Sequence, residues 1–539
     1  MIVYVVLLGL TALLFTRIPS GFVPAPDKQY LIGIAQLPAG ASLDRTDKVI
    51  REMSEIALTI PGIRDSVAFP GLSIAGFSAA PNEGIVFFGL APFDKRKTPD
   101  LSKFAILGKV NGAIQQIQGA RMFVVPPPGV DGVGTAGGFK LQVQDRAGLG
   151  EQALYGAVWG TLGQVYGNPK SSIGTPYSTY DINVPQLFAD VDRVRAKQMG
   201  VRLTDIYDTL QVNLGSLYVN DFTRFGKTYQ VIVQADAPYR ADAPAITALK
   251  TRNAAGEMVP LGALMTIEPT FGPTRVTRYN GYPSADINGA PTPGFSSGQA
   301  EGEIQALLKK TLPRGLSYEW TELSYQDRLT RDVAVPGTSI KLPVLAAVMA
   351  IAVLLVILVL AAQYESWSLP MAIVLIVPMC VLAALLGVWI SHFPPFTQPG
   401  DLNIFTQVAL VVLVGLACKN AILIVEFAKE LEERGEALLD AVIKACRMRL
   451  RPILMTSIAF CAGVLPLIFG SGAGSEMRRA MGIAVFSGMV GVTLFGIFMT
   501  PVFYVLLRRI GSKKPLPTPH GAPIKPRPAA PADSGDGHA

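Results

Sequence analysis

Charge is scarce in this chain of 539 residues: Asp, Glu, Lys and Arg together make up 16% of it. A soluble protein carries about a quarter, so the deficit argues against an ordinary soluble protein and predicts membrane-embedded sequence. Cysteine is scarcer still. There are four, Cys380, Cys418, Cys446 and Cys461, and none in the long polar stretch before them. That excludes a disulfide framework and offers no zinc-ligand spacing. His392, His520 and His538 lie too far apart for a metal cluster. Also missing are the Gly-Lys-Ser/Thr ending of a phosphate loop, a Gly-x-Ser-x-Gly elbow and a His-Glu-x-x-His pair. Gly470, Gly472 and Gly474, with Ser471 and Ser475, make a glycine-rich loop without that lysine. The expectation is a protein that is not an enzyme and uses no cofactor. No basic stripe with interleaved aromatics occurs, so no nucleic-acid partner is expected.

Long apolar runs are what the chain has. Half its residues are hydrophobic. Pro343–Ala362 is 20 residues without a charge, Leu369–Ile390 is 22, Pro452–Phe469 is 18 and Ala480–Leu507 is 28. Leu402–Val425 is apolar apart from Lys419 and Asn420. Each is long enough to cross a bilayer. Ile2–Phe15 is shorter, has no basic residue before it and is followed by Arg17-Ile18-Pro19. It reads as a transmembrane helix with its start trimmed, the alternative being a signal peptide. The expected total is six spans.

The net charge is +7. Much of the excess flanks apolar runs, at Arg447, Arg449 and Arg451 and at Arg508, Arg509, Lys513 and Lys514. With these clusters in the cytoplasm, counting spans places residues 18–335 outside the membrane on the far side. Arg478 and Arg479 then fall on the opposite side from the other clusters. A cysteine-free outer region suits an oxidising compartment. The tail from Ser512 is rich in Pro, Ala and Gly and is expected to be disordered.

Residues 18 to about 335 alternate strand-like and helix-like patterns. Strands are expected at Tyr30–Gln36, Asp65–Phe69, Gly84–Leu90 and Arg121–Val125. Helices are expected from the Ser42 cap to Leu58 and over Leu101–Ile117. The order β-α-β-β-α-β is that of the ferredoxin-like split unit. A second unit starts at Phe139–Gln144 with a helix at Glu151–Tyr166. An insertion at about Asp181–Leu264, holding a hairpin at Ser216–Ala235, interrupts it. It resumes with strands and a helix at Gly298–Leu312.

Lys419 is the one clear charge inside the runs, and an intramembrane ionisable group is a functional candidate by default. Snorkelling is the simpler explanation, since the residue lies about 9 Å from the end of its run. In the next run Arg449 and Thr456 are seven residues apart, on one helix face. If that face meets Lys419, with Asn420 beside it, the four form a polar column open to the cytoplasm. Thr456 could equally bond back to its own helix. No Asp or Glu lies inside any run, and Glu426 stands at a boundary. A proton relay therefore needs a carboxylate from elsewhere. In the polar region, Gly71–Phe77 is an apolar loop flanked by glycine, next to the strand Ile85–Phe88. It can line a pocket for greasy ligands or belong to an ordinary core.

Several stretches resemble one family. Gly415–Lys429 looks like the tenth span of the hydrophobe/amphiphile efflux pumps of the resistance–nodulation–division superfamily, the AcrB-like pumps. Arg447–Ser457 looks like the start of the eleventh. Gln36–Ala41, Tyr218–Phe222, Arg278–Gly281 and Tyr364–Trp367 also match. The resemblance covers nearly the whole chain, to about residue 510. It implies a homotrimeric permease with twelve spans per protomer, in the bacterial inner membrane. It implies a large periplasmic domain, a cytoplasmic C-terminus and no cofactor beyond the proton-motive force. This chain would be the C-terminal half. It would combine a membrane α-helical bundle of six spans with an α+β periplasmic region of ferredoxin-like units and a docking insertion.

The implied segments are a first span at 1–17, a porter subdomain at 18–133 and a second at 134–180 with 266–335. A docking subdomain follows at 181–265, a five-span bundle at 336–510 and the tail at 511–539. Lys419, Arg449 and Thr456, with Asn420, match the family's proton relay, whose two aspartates belong to the N-terminal half. Leu72, Ile74, Ile85 and Phe87 would line the deep drug pocket, with Phe77 on its switch loop. Phe123 and Val125 would flank the entrance. Some pumps carry phenylalanines where this chain has Leu72 and Ile74, which implies weaker stacking on aromatic drugs. The implied partners are that N-terminal half, two further copies, a periplasmic adaptor protein, an outer-membrane channel, amphiphilic small molecules and the lipid bilayer. Two other readings stand beside it. One is a truncated remnant or subunit that transports nothing. The other is a relative that assists protein export or moves lipid.

Overall fold

A computed structural model of the chain describes residues 2–74, 77–134, 137–273, 275–334, 341–393 and 400–511. The tail from Ser512 thus lies outside the described residues, as do Ala75 and Gly76 of the apolar loop. The chain opens with α1 (Ile2–Arg17), then β1 (Tyr30–Gln36), α2 (Leu43–Leu58), β2 (Ile63–Ser73), β3 (Ser78–Leu90), α3 (Lys103–Ile114) and β4 (Arg121–Val125). The Ser42 hydroxyl caps α2 by accepting the Arg45 N–H, which satisfies one of the orphan donors of the first turn.

These strands make one antiparallel sheet in the order β2-β3-β1-β4. Period-2 alternation decides what each face does. Leu31, Ala35, Val86, Phe88 and Val124 point to one face and are sealed by Ile50 and Met53 of α2 and Ile106, Val110 and Ile114 of α3. Gly33 and Gly84 let the helix come close: a Cβ at Gly84 would sit 1.7 Å from the Ile50 Cδ1. The opposite face is also apolar, and no helix of this unit covers it.

The second unit holds β5 (Phe139–Asp145), α4 (Glu151–Tyr166) and β6 (Ile173–Tyr177). The chain then leaves through β7 (Val184–Val191), α5 (Arg193–Gln198), α6 (Leu203–Leu210), β8 (Leu217–Arg224), β9 (Lys227–Val233), α7 (Ala243–Ala248), β10 (Lys250–Arg252), β11 (Met258–Pro260) and β12 (Met265–Gly272). It returns as β13 (Arg278–Tyr279), β14 (Tyr282–Pro291), α8 (Ser297–Thr311), β15 (Leu316–Thr321) and α9 (Glu322–Arg331). The sheet order is β13-β14-β5-β15, with β6 on β14. Helices α4 and α8 bury Leu154, Val158, Leu162, Ile304 and Leu308 against it. The excursion has its own small core around Ile206, Leu261 and Leu264. Hairpin β8–β9 is different, because every one of its residues is exposed.

The remaining helices are α10 (Val344–Tyr364), α11 (Ser368–Val374), α12 (Val377–Ile390), α13 (Ile404–Glu433), α14 (Leu438–Phe469) and α15 (Ser475–Gly511). Five helical segments are long and apolar enough to cross a membrane, counting Ser368–Ile390 as one, and α1 is a shorter apolar helix. Helix α15 packs against α12, α13 and α14, while α10 is mostly exposed.

Three sequence expectations change here. The connection expected at Lys429–Arg451 shrinks to residues 434–437, because both flanking helices run on past the apolar core. Pro452 sits inside α14 rather than starting it, and flanking backbone in a bundle tolerates that interruption. The apolar loop at 71–77 begins as strand: after a bulge at Pro70–Leu72, β2 and β3 stay paired to Ser73–Ser78. Arg478 and Arg479, on the less expected side, have a local task. The Arg479 Nε donates to the Ile468 carbonyl at 3.0 Å and the Arg478 Nη2 to the Ala473 carbonyl at 3.3 Å, satisfying acceptors at the end of α14 and the turn after it.

Candidate functional site

Two places answer to the sequence candidates. The first is the uncovered face of the β2-β3-β1-β4 sheet. Ile32, Ile34, Ile85 and Val125 are buried there with Ile74 at the end of β2, and Leu72, Phe87 and Phe123 pack against them. Tyr177 of β6 completes the cluster. Its ring lies 4.4 Å from that of Phe123, so the two α/β units meet at this contact. Six of the seven apolar candidates, Leu72, Ile74, Ile85, Phe87, Phe123 and Val125, therefore converge. The seventh, Phe77, does not: it is 57% exposed, with a left-handed φ of 51°.

A carboxylate stands at the margin of this cluster. Glu83 is buried on β3, and burial pushes its carboxyl above the ordinary range, against a hydrogen bond from Ser73 and the nearby Arg275. Asp286 of β14, also near, accepts from the Thr179 N–H at 3.2 Å and its hydroxyl at 2.8 Å. Sequence reading missed both acids. Their only signal was an acidic residue within a strand, Glu83 in β3 and Asp286 in β14.

The second place is the α13–α14 contact. Asn420 is buried, and its Nδ2 donates to the Ser457 hydroxyl at 3.3 Å. Arg449 lies with its guanidinium 4.6 Å from the Phe427 ring of α13, a cation–π arrangement. Its Nε is buried with no hydrogen-bond partner. Thr456 donates back to the Ile453 carbonyl of its own helix at 3.1 Å, as the simpler reading had it.

Lys419 is not drawn into that contact. It is exposed, and among the described residues it makes no hydrogen bond or ion pair. It falls on a stripe of α13 with Ile404, Val408, Val412, Gly415 and Glu426, all exposed. The spacing of three and four puts them on one helix face. The four residues of the expected column do not meet: Asn420 bonds Ser457, Arg449 stacks on Phe427 and Thr456 bonds within its own helix. Lys419 points along the side that this chain leaves open.

A third feature was invisible in the sequence. Asp27, just after the first apolar helix, binds Arg96 through both carboxylate oxygens, at 2.9 and 3.2 Å. The Asp27 N–H donates to Glu476 of α15 at 3.1 Å. Lys103 donates to the Ala25 carbonyl at 2.7 Å, and burial holds its amine below the ordinary value, opposed by Glu476 and Asp27. This charged joint ties the first α/β unit to the start of the last spanning helix.

The chain thus joins a bundle of helices long and apolar enough to cross a membrane to a large α/β module, with polar groups between α13 and α14. The family can be stated as well: the chain belongs to the AcrB/AcrD/AcrF family, whose model matches residues 1–508. The multidrug export protein AcrF of Escherichia coli K12 is 39% identical over 514 residues, covering 94% of this chain and 47% of the relative. The multidrug/solvent efflux pump membrane transporter MepB of Pseudomonas putida is 38% identical over 506 residues, 93% of this chain and 46% of the relative. The multidrug resistance protein MdtF of Escherichia coli K12 is 37% identical over 514 residues, with 95% and 47% covered. The chain spans about half the length of the curated relatives it matches.

Proposed function

We propose that this chain is the C-terminal half of a proton-driven permease that expels amphiphilic drugs and other xenobiotics. The observation that carries the reading is Lys419, a cation without a partner of its own on an open stripe of a spanning helix. A charge left in hydrocarbon costs about 2.5–3.5 kcal/mol or more, which favours a covering surface with acidic groups over exposure to lipid. In this reading the N-terminal half supplies it, with its relay aspartates against Lys419 and within reach of Arg449 and Thr456. Their protonation removes the ion pair and lets α13 shift. The joint from Glu476 to Asp27 and Arg96 passes that shift to the α/β module, where the Phe123–Tyr177 contact between the two units opens to bind drug.

The rest of the assignment follows. The units at 18–133 and at 134–180 with 266–335 are ferredoxin-like porter subdomains in the periplasm, and 181–265 is the docking subdomain. Helix α1 is the first of six spans, and the C-terminus is cytoplasmic. Hairpin β8–β9 exposes Leu217, Val219, Phe222, Tyr229 and Val231, which supports insertion into a neighbouring copy of a homotrimer. The trimer works with an adaptor protein and an outer-membrane channel, and performs no covalent chemistry.

The test is dye efflux from pump-deficient cells. Cells given this chain together with an N-terminal half should expel the dye, and Lys419→Met should abolish efflux at unchanged membrane levels. Undiminished efflux in that variant would sink the relay role. Efflux by the chain alone would sink the half-permease.

A further inference from the structure

Helix α14 presents a shallow, open face that points away from everything described so far. Arg447, Leu450, Arg451, Leu454, Met455 and Ile458 form it. Met455 is 64% and Ile458 68% exposed. With 3.6 residues per turn, Arg447, Arg451, Leu454 and Ile458 fall on one stripe. Arg449 and Thr456 lie half a turn away, on the side that packs toward α13. A second half of the protein placed against Lys419 therefore leaves this face open.

Depth and charge say what fills it. The uncharged run Pro452–Phe469 is 18 residues, about 27 Å of helix, close to the hydrocarbon thickness of about 30 Å. Arg447 and Arg451 then stand at the level of lipid phosphates, while Ile458 reaches roughly 10 Å down among acyl chains. Like charges four residues apart on a helix repel. Among the described residues neither guanidinium has a hydrogen bond or an ion pair. Two unpaired cations at headgroup depth, continuous with an aliphatic face, match one ligand: a phosphate-bearing head with a hydrocarbon tail.

We infer that the outer face of α14 is a specific site for an anionic phospholipid. The phosphate is held by Arg447 and Arg451, and one acyl chain lies along Leu454 and Ile458. The site anchors the same helix whose opposite face carries Arg449 and Thr456.

Native mass spectrometry of the full chain in detergent tests this with added phosphatidylglycerol or, at equal chain length, phosphatidylethanolamine. The wild type should keep phosphatidylglycerol at collision energies that strip phosphatidylethanolamine. Arg447→Gln with Arg451→Gln should weaken phosphatidylglycerol retention about thirtyfold, as expected when two cations each favour an anionic surface about fivefold. The conservative pair Arg447→Lys and Arg451→Lys should retain most of it, and guards against loss of fold. Arg193→Gln with Lys197→Gln, a cationic pair on α5 without an aliphatic face in the membrane, should change nothing. Equal retention of both lipids by the wild type, or undiminished phosphatidylglycerol in the Gln pair, overturns the site. So does a lipid-free dimer that the Gln pair dissolves, since the face would then seat a second copy.

Discussion

The α/β module and the helical bundle treat buried charge in opposite ways. In the module the buried charges Arg96, Lys103 and Glu301 find counterparts within the chain. Arg96 is held by Asp27, Lys103 by a backbone carbonyl, and Glu301 accepts from Ser324 at 2.7 Å. In the bundle, Lys419 makes no hydrogen bond or ion pair among the described residues, and the Arg449 Nε is orphaned. Where the bundle does satisfy its charges, it does so at its end: Glu432 of α13 accepts from Tyr504 at 2.8 Å and from Arg508 at 2.7 and 3.1 Å. The module too leaves a buried guanidinium nitrogen unmatched, the Arg328 Nε, but its Nη2 bonds Gln305 at 3.3 Å, whereas in the bundle a whole cation, Lys419, makes no bond among the described residues. An incomplete polar layer marks the surface where something else must dock, because an unpaired charge in low dielectric is costly.

That contrast can be broken or sharpened by mutation. The largest stability effect is expected from Arg96→Ala. It leaves the Asp27 carboxylate buried and uncompensated, and should cost about 3–5 kcal/mol, read as a fall in the denaturation midpoint of the purified chain. A loss below 1 kcal/mol would mean the joint is not a closed ion pair. Next comes Glu432→Gln, which weakens charge-assisted bonds from Tyr504 and Arg508 and should cost about 2 kcal/mol. Disulfide trapping between α13 and α15 at that end would report the loosened clasp. Ser42→Ala removes the cap of α2 and should cost about 1 kcal/mol.

A smaller effect depends on pH. Partial burial alone would raise the Glu303 carboxyl, but donors from Ser172, Ser171 and Asn168 outweigh it and hold it below its ordinary value. A depressed carboxylate stabilises the fold above its ordinary range, near pH 4.3, and that stability is lost as pH falls through the folded value. Glu303→Gln should flatten the acid limb of the midpoint-against-pH curve below about pH 4.5 and leave the curve shape near neutrality unchanged. The smallest stability effect is expected where the functional effect is greatest. Lys419→Met should leave the midpoint within about 0.5 kcal/mol, since the chain itself makes no bond to that amine. A marked shift would show that Lys419 has a partner within the chain, and would erase the contrast.

The sequence by itself determined the elements whose signal is local. Hydrophobic runs about as long as a bilayer core is thick mark five helices, and the Ser42 cap and period-2 strands mark the first sheet. The motif-bearing helices carry the family likeness. Lys419 was legible because a charge inside an apolar run has no local excuse. What only the tertiary structure decided are pairings between residues far apart in the chain. Asp27 with Arg96 and Glu476, Tyr177 on Phe123, and the choice of Asn420 rather than Lys419 to face Ser457 are of this kind. Helix periodicity says that Lys419 and Asn420 lie about 100° apart, but not which of the two a neighbouring helix will cover. That choice depends on how α13 rolls against α14 and α15, which the summed packing of many apolar side chains settles and no single residue announces.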